Sequence, residues 1–312
     1  AGGTGTRGWR RTVELGRDLA RLAEVAGATT RAETALLVDW EAWWALERRG
    51  HATTALRYGD LALRWYGPLH HANVPVDVRG PGAPLERYRL VVAPNLFLLD
   101  PVAVEALVRW VEAGGTLVVG PSSGVVDPSY HVPSGPYPGL LRDLLGVTWE
   151  EVWPILPGEP AGVVFADGVD GAAGAVAAIQ RDALDVADAV VVARYAGGEL
   201  DGWPAVTRRS LGAGEAWYVG TVLDAVGTGA VLAASRGRAG VAPVAELPDG
   251  VLASRRDGDA ASYLFLVNHG TGRARVTLPE PAHDLLAERP LAADEALILD
   301  PLGAAVLRIA RR

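Results

Sequence analysis

Three tryptophans sit among acids near the start of the chain. Asp39 and Glu41 flank Trp40, and Trp43 and Trp44 follow within a turn. Aromatic rings stack on sugar faces and carboxylates accept hydroxyl hydrogens, so the group has the parts of a sugar platform. Tryptophan is equally enriched where proteins pack against one another. The packing reading is preferred, which makes Trp40, Trp43 and Trp44 candidate interface residues. Glu150 and Glu151 are adjacent acids in a stretch without clear periodicity, although paired carboxylates are what glycoside hydrolysis uses. His70 and His71, also adjacent, would face about 100° apart on a helix and grip one metal poorly. The remaining histidines are scattered and read as solvated or capping. Ser122 and Ser123 follow a strand and could be offered as nucleophiles, with His131 the nearest base in sequence. A serine-rich turn is preferred, and no elbow serine is expected. A P-loop and an H-E-x-x-H zinc helix are absent. Gly2-Gly3-Thr4-Gly5 has no preceding strand, and Gly114–Gly115 follows a helix, so no dinucleotide fingerprint is read. No catalytic, cofactor-binding or metal-binding residue is assigned.

Composition narrows the chemistry further. The 312 residues contain no Cys and no Met, and all 29 basic residues are Arg. Without Cys there is no disulfide, thiol nucleophile or thiolate metal ligand. A net charge of −8 argues against a nucleic-acid partner. No apolar run reaches the roughly 18 residues of a membrane span, so no membrane partner is expected. The chain opens Ala-Gly-Gly-Thr rather than on Met, and it is expected to be part of a longer protein.

The elements that must position these residues follow from periodicity. Val13, Leu15, Leu19, Leu22 and Val25 recur near helical spacing across Trp9–Ala26. Thr34–Val38, Val74–Val78, Arg89–Ala93 and Thr116–Val119 read as strands, with helices over Thr54–His70 and Pro101–Ala113 between them. Strand and helix in alternation predict an α/β fold, a mostly parallel sheet flanked by helices. Pro121–Pro138 reads as a long loop, Leu140–Leu145 as a short helix ended by Gly146, and Trp149–Pro160 as irregular. Val163–Phe165 and Val190–Tyr195 read as strands, and Ala205–Ser210 with Glu215–Gly220 as a hairpin. Leu223–Ala234 reads as a helix. Beyond Arg238–Pro243, six short strands in about 70 residues predict a small all-β sandwich.

Several segments, in order, resemble the C-terminal part of a glycoside hydrolase family 42 β-galactosidase. They are ELGRDLARLAEVAG at Glu14–Gly27, ALLVDWEAWWALE at Ala35–Glu47, NVPVDV at Asn73–Val78 and YRLVVAPNLFLL at Tyr88–Leu99. WVEAGGTLVVGP at Trp110–Pro121, GAGEAWYVGT at Gly212–Thr221 and YLFLVNHG at Tyr263–Gly270 complete the set. The resemblance implies a stub helix over 1–30 from the end of a missing (β/α)₈ barrel. An amidotransferase-like trimerisation domain over 31–238 and a small β domain over 239–312 would follow. It further implies a homotrimer, a cytoplasmic location and a parent enzyme that hydrolyses terminal β-D-galactosides with retention. The two catalytic Glu residues belong to the barrel, so none is carried over and the isolated chain is expected to be inactive, with no cofactor. Two alternatives stand beside this reading. One is an independent amidotransferase-like or hydrolase-like α/β enzyme, which would lack its Cys nucleophile. The other is a carbohydrate-binding module, for which Tyr263 and Phe265 are the only aromatics between Leu247 and Arg312.

Overall fold

The computed structural model describes residues 3–311. The chain divides into two compact units. One is Ala32–Ala242, and the other joins the chain up to Arg31 with the chain from Pro243 onward.

In the second of these, α1 (Arg7–Arg21) starts at Thr6, whose hydroxyl accepts from the Trp9 amide at 3.2 Å. Trp9, Leu15 and Leu19 remain exposed and α1 buries no residue. The expected helix to Ala26 stops at Leu22 and continues as a 3₁₀ turn, Ala23–Val25. That tightening aims Val25 into a cluster with Tyr263, Leu285 and Val306.

The larger unit holds β1 (Thr34–Leu37), α2 (Trp40–Leu46), α3 (Tyr58–His71), β2 (Val76–Arg79), β3 (Leu90–Ala93), α4 (Pro101–Glu112) and β4 (Thr116–Val119). It continues through α5 (Arg142–Leu145), β5 (Val147–Pro154), β6 (Ala161–Phe165), β7 (Val176–Val186) and β8 (Val190–Ala196). β9 (Pro204–Leu211), β10 (Gly214–Val219), β11 (Thr221–Leu223) and α6 (Ala225–Ala239) complete it. All eleven strands join one sheet. β2-β1-β3-β4-β10 run parallel, and β9, β8, β6, β7 and β11 extend the sheet with antiparallel pairings, β5 also pairing with β7.

The central parallel strands β1, β3 and β4 are buried along their whole length and apolar but for Thr34 and Thr116, because both faces are covered. Leu36, Leu90, Val92 and Val118 pack with Leu61, Trp65 and Leu69 of α3 and Val231 of α6. Their neighbours Leu37, Val91, Leu117 and Val119 face the other way, onto Val104, Leu107 and Val111 of α4. Asp39, Asp100 and Asp224 cap α2, α4 and α6, each carboxylate accepting a first-turn amide. Gly146 ends α5 at φ 66°, as its position in the sequence predicts.

Three differences from the sequence reading have physical causes. The stretch expected to be irregular, Trp149–Pro160, is strand β5 as far as Pro154, its alternation hidden by a register shift between Trp149 and Val152. Strand β7 was not expected at all, since Gln180-Arg181-Asp182 interrupts its apolar pattern; all three are nevertheless buried. The helix predicted from Thr54 begins at Tyr58, because the Thr53 hydroxyl accepts from the Ala55 amide and holds a turn instead.

The β domain has β12 (Val251–Asp257), β13 (Ala261–Asn268), β14 (Ala274–Thr277), β15 (Ala282–Asp284), β16 (Arg289–Leu291), β17 (Ala296–Leu299) and β18 (Ala304–Ala310). A five-stranded sheet, β12-β13-β18-β15-β16, accompanies the pair β14-β17. Leu264, Leu266, Leu297, Leu299 and Leu307 share its core. The unexpected strand β16 carries Pro290 and lies at the sheet edge, where a missing amide donor is tolerated.

Candidate functional site

The two serines lie just past the end of β4, within Gly120-Pro121-Ser122-Ser123-Gly124. This string has the G-x-S-x-G spelling, which the sequence reading did not expect, and the chain runs on as loop to Gly139 where a nucleophile elbow would enter a helix. Ser122 has φ 53°, the left-handed conformation that a sharp elbow imposes. The two framing glycines have no freedom to change. A Cβ on Gly120 would overlap the Pro94 carbonyl oxygen, and one on Gly124 the Pro138 carbonyl oxygen. The buried Asn95 side chain donates to the Pro121 and Ser122 carbonyls at 2.7 and 3.1 Å. Ser123 donates to the Gly120 carbonyl at 2.9 Å and accepts from the Leu96 amide at 2.9 Å. Ser123 is thus a brace, while Ser122 carries the outward hydroxyl of the turn.

Strand β7 supplies what lies around that hydroxyl. Gln180 Nε2 donates to Ser122 Oγ at 2.6 Å and to Asp182 Oδ1 at 3.2 Å. Asp182 Oδ2 accepts from the Ser122 amide at 3.1 Å and from the Tyr218 hydroxyl at 2.7 Å. Burial raises the Asp182 carboxyl to about 7 against the pull of these donors. Burial likewise pushes the Tyr218 and Tyr195 hydroxyls well above their ordinary value. A cavity of about 160 Å³ opens beside the elbow, lined by Ser122, His51, Phe97, Tyr137, Trp149 and Gln180 among others. The histidine brought to the serine's cavity is therefore His51. His131, the nearest in sequence, is exposed and pairs with Asp127 at 3.6 Å.

The tryptophans take three different positions. Trp43 is sandwiched, stacking on Trp40 at 5.2 Å and on Tyr58 at 5.3 Å, and its ring abuts Gly59. Trp40 and Trp44 are 60% and 66% exposed and lie four residues apart on α2, hence on one face. Asp39 is occupied as the α2 cap, and its own amide donates to the Tyr58 hydroxyl at 2.8 Å. Burial pushes that hydroxyl up to about 12.

The other candidates do not converge. His70 and His71 are exposed, their rings 5.8 Å apart and tilted. Among the described residues no group of three or more His, Asp or Glu is placed to hold a metal. Glu150 and Glu151 are both exposed on β5, and only Glu150 borders the cavity. Gly3–Gly5 form an exposed 3₁₀ turn, and Gly2 lies outside the described residues. Tyr263 is buried, its hydroxyl donating to the Glu24 carbonyl at 3.1 Å, and Phe265 packs in the same cluster. No helix of the described residues is long and apolar enough to cross a membrane.

Comparison with known proteins agrees with this architecture. Residues 32–242 match the β-galactosidase trimerisation domain and residues 250–308 the β-galactosidase C-terminal domain. The β-galactosidase BglY of Alicyclobacillus acidocaldarius is 36% identical over 312 residues, covering 98% of this chain and 45% of the relative. A β-galactosidase of Arthrobacter sp. is 36% identical over 276 residues, 88% of this chain and 39% of the relative. The crystal structure of a β-galactosidase from Bacillus circulans sp. alkalophilus superposes with a TM-score of 0.93 at 30% identity, covering 98% of this chain and 46% of that one. The chain thus spans less than half the length of these relatives. Both matched domains, in the order and at the boundaries of the two sheets, place the chain in glycoside hydrolase family 42, as its trimerisation and C-terminal regions.

Proposed function

We propose that this chain is the assembly and C-terminal region of a β-galactosidase that hydrolyses terminal β-D-galactosides with retention. In this reading the two catalytic Glu residues lie in a barrel outside residues 1–312, and the chain alone does not turn over substrate. The observation that carries it is the pairing of coverage: nearly all of this chain aligns to less than half of the full-length relatives. The exposed apolar face of α1, with Trp9, Leu15 and Leu19, suits a helix that packs against such a barrel.

The same reading makes the protein a homotrimer. Trp40 and Trp44 support it, because two large exposed indoles on one short helix are what a subunit contact buries. The parallel half of the sheet would be an amidotransferase-like scaffold turned to assembly, in a chain with no cysteine to serve as the nucleophile such enzymes need. Residence in the cytoplasm belongs to the reading through the family resemblance.

Light scattering on the purified 312-residue chain, with an assay on a chromogenic β-galactoside, tests it. A trimer mass without turnover is expected. A monomer at high concentration overturns the assembly role, and turnover in a pure preparation overturns the placement of the catalytic pair elsewhere.

A further inference from the structure

We propose that Ser122 is the nucleophile of a second reaction centre, in the trimerisation domain, that hydrolyses small uncharged carboxylic esters with His51 as base. The proposal does not depend on the β-galactosidase reading. It rests on the elbow at the end of β4 and on the cavity into which that elbow opens.

A serine turn on a surface needs none of what surrounds Ser122. Its φ of 53° is costly for a residue with a side chain and is maintained by a surround of fully buried polar groups, Asn95, Ser123 and Asp182. Strain held in place by so much structure is a feature of sites where a side chain must be presented. The presented atom is Ser122 Oγ. It accepts from Gln180 Nε2 at 2.6 Å, which leaves its own proton free to be given away.

The base is identified by its tautomer. His51 Nε2 lies 3.0 Å from the Ala45 carbonyl oxygen. A carbonyl only accepts, so Nε2 carries the proton and Nδ1 keeps the lone pair. The ring is steadied edge-on against Phe97 at 5.1 Å. His51 and Ser122 border the same cavity, and the proposed proton transfer runs through water held in it.

The cavity selects the substrate. Its volume of about 160 Å³ is close to the roughly 150 Å³ that holds a benzene molecule, which suits an acyl group of a few carbons. Phe97, Tyr137 and Trp149 give it an apolar wall. Glu150 at the rim repels anionic esters. In the reaction Ser122 Oγ gives its proton to His51 Nδ1 and bonds to the ester carbonyl carbon. The bond to the alcohol then breaks, and His51 returns the proton to the departing alkoxide. Water attacks the acyl-serine by the same route, releasing the acid and restoring Ser122. Gln180 Nε2, a donor beside the new bond, stabilises the oxyanion.

A fluorophosphonate probe on the 312-residue chain, read by intact mass and peptide mapping, tests the proposal. One adduct, on Ser122, is expected, together with hydrolysis of 4-nitrophenyl acetate that S122A abolishes. Ser122→Gly provides a second variant that relieves the positive φ, so loss of labelling there cannot be attributed to misfolding. H51Q is expected to slow labelling at least about 100-fold. No adduct under conditions that saturate a known serine esterase, or an adduct elsewhere than Ser122, overturns the proposal. Neither result bears on the trimer or on galactoside turnover.

Discussion

Tyr218 and Asp182, 36 residues apart in sequence, share a hydrogen bond of 2.7 Å from which solvent is excluded on every side. Among the described residues no cation lies against Asp182; its partners are the Ser122 amide and the Gln180 and Tyr218 side chains. Desolvation therefore wins and raises the carboxyl to about 7. A folded value above the unfolded one means that the native state holds the proton longer. The stabilising contribution of neutral Asp182 is full below about pH 4 and is lost as pH rises through about 7. Urea unfolding of the wild type and D182N between pH 4.5 and 8.5 measures this. The wild-type advantage over D182N is expected to shrink as pH rises, and a difference constant with pH refutes the assignment.

Gly120→Ala and Gly124→Ala are expected to prevent folding of the α/β unit, since each Cβ would meet a backbone carbonyl that has nowhere to move. Gly158→Ala is the control. It has φ 87° but nothing within 4 Å of its added Cβ, so its cost is confined to backbone strain, about 1 kcal/mol. Soluble yield and thermal midpoints of the three variants make the comparison.

Glu215 is a buried acid with three donors. Arg208, Arg238 and the Trp217 indole reach it at 3.0, 2.6 and 2.8 Å. Glu215→Ala orphans the buried indole N–H and is expected to lose about 2–3 kcal/mol. Arg238→Ala removes one half-exposed partner and is expected to cost less than about 1 kcal/mol. Chemical denaturation of both variants distinguishes a desolvated hub from ordinary surface pairing.

Trp40→Ser with Trp44→Ser leaves Trp43 and Tyr58 in place and is expected to change the thermal midpoint of the dilute protein little. If α2 is a subunit contact, the mass in solution falls toward the monomer. Sedimentation across a concentration series gives the answer, and an unchanged association constant removes α2 from the interface.

How much was legible follows from which residues obey pattern. β1, β3 and β4, with their covering helix α4, were plain because the strands are apolar but for Thr34 and Thr116 and the turns carry Pro101 and Gly114–Gly115. The β domain was readable from its turn signals, apart from β16. The elbow was present in the letters as Gly120 to Gly124, but serines beside a long loop look like punctuation. Its setting was not legible. Nothing in the local pattern marks the polar Gln180 and Asp182 as buried, and only the pairing of β7 with β5, β6 and β11 encloses them. His51 likewise becomes a neighbour of Ser122 only through the fold. Polar residues that interrupt a strand pattern are where local rules yield to a site.

The residues before Arg31 pack with those after Pro243: Arg21 donates to the Leu286 carbonyl, Arg308 to Glu24, and Thr29 bridges Asp257. During synthesis, then, the first helix leaves the ribosome long before its partners exist. At about 5–20 residues per second the intervening unit takes on the order of 10–40 s to emerge. Throughout that interval Ala32–Ala242 is free to fold around its own sheet, whereas Val25 waits without Tyr263, Leu285 and Val306, the residues that cover it. The chain is therefore built to finish its insert before its host: the unit that is contiguous in sequence closes first, and the one it interrupts closes only when the β domain has emerged.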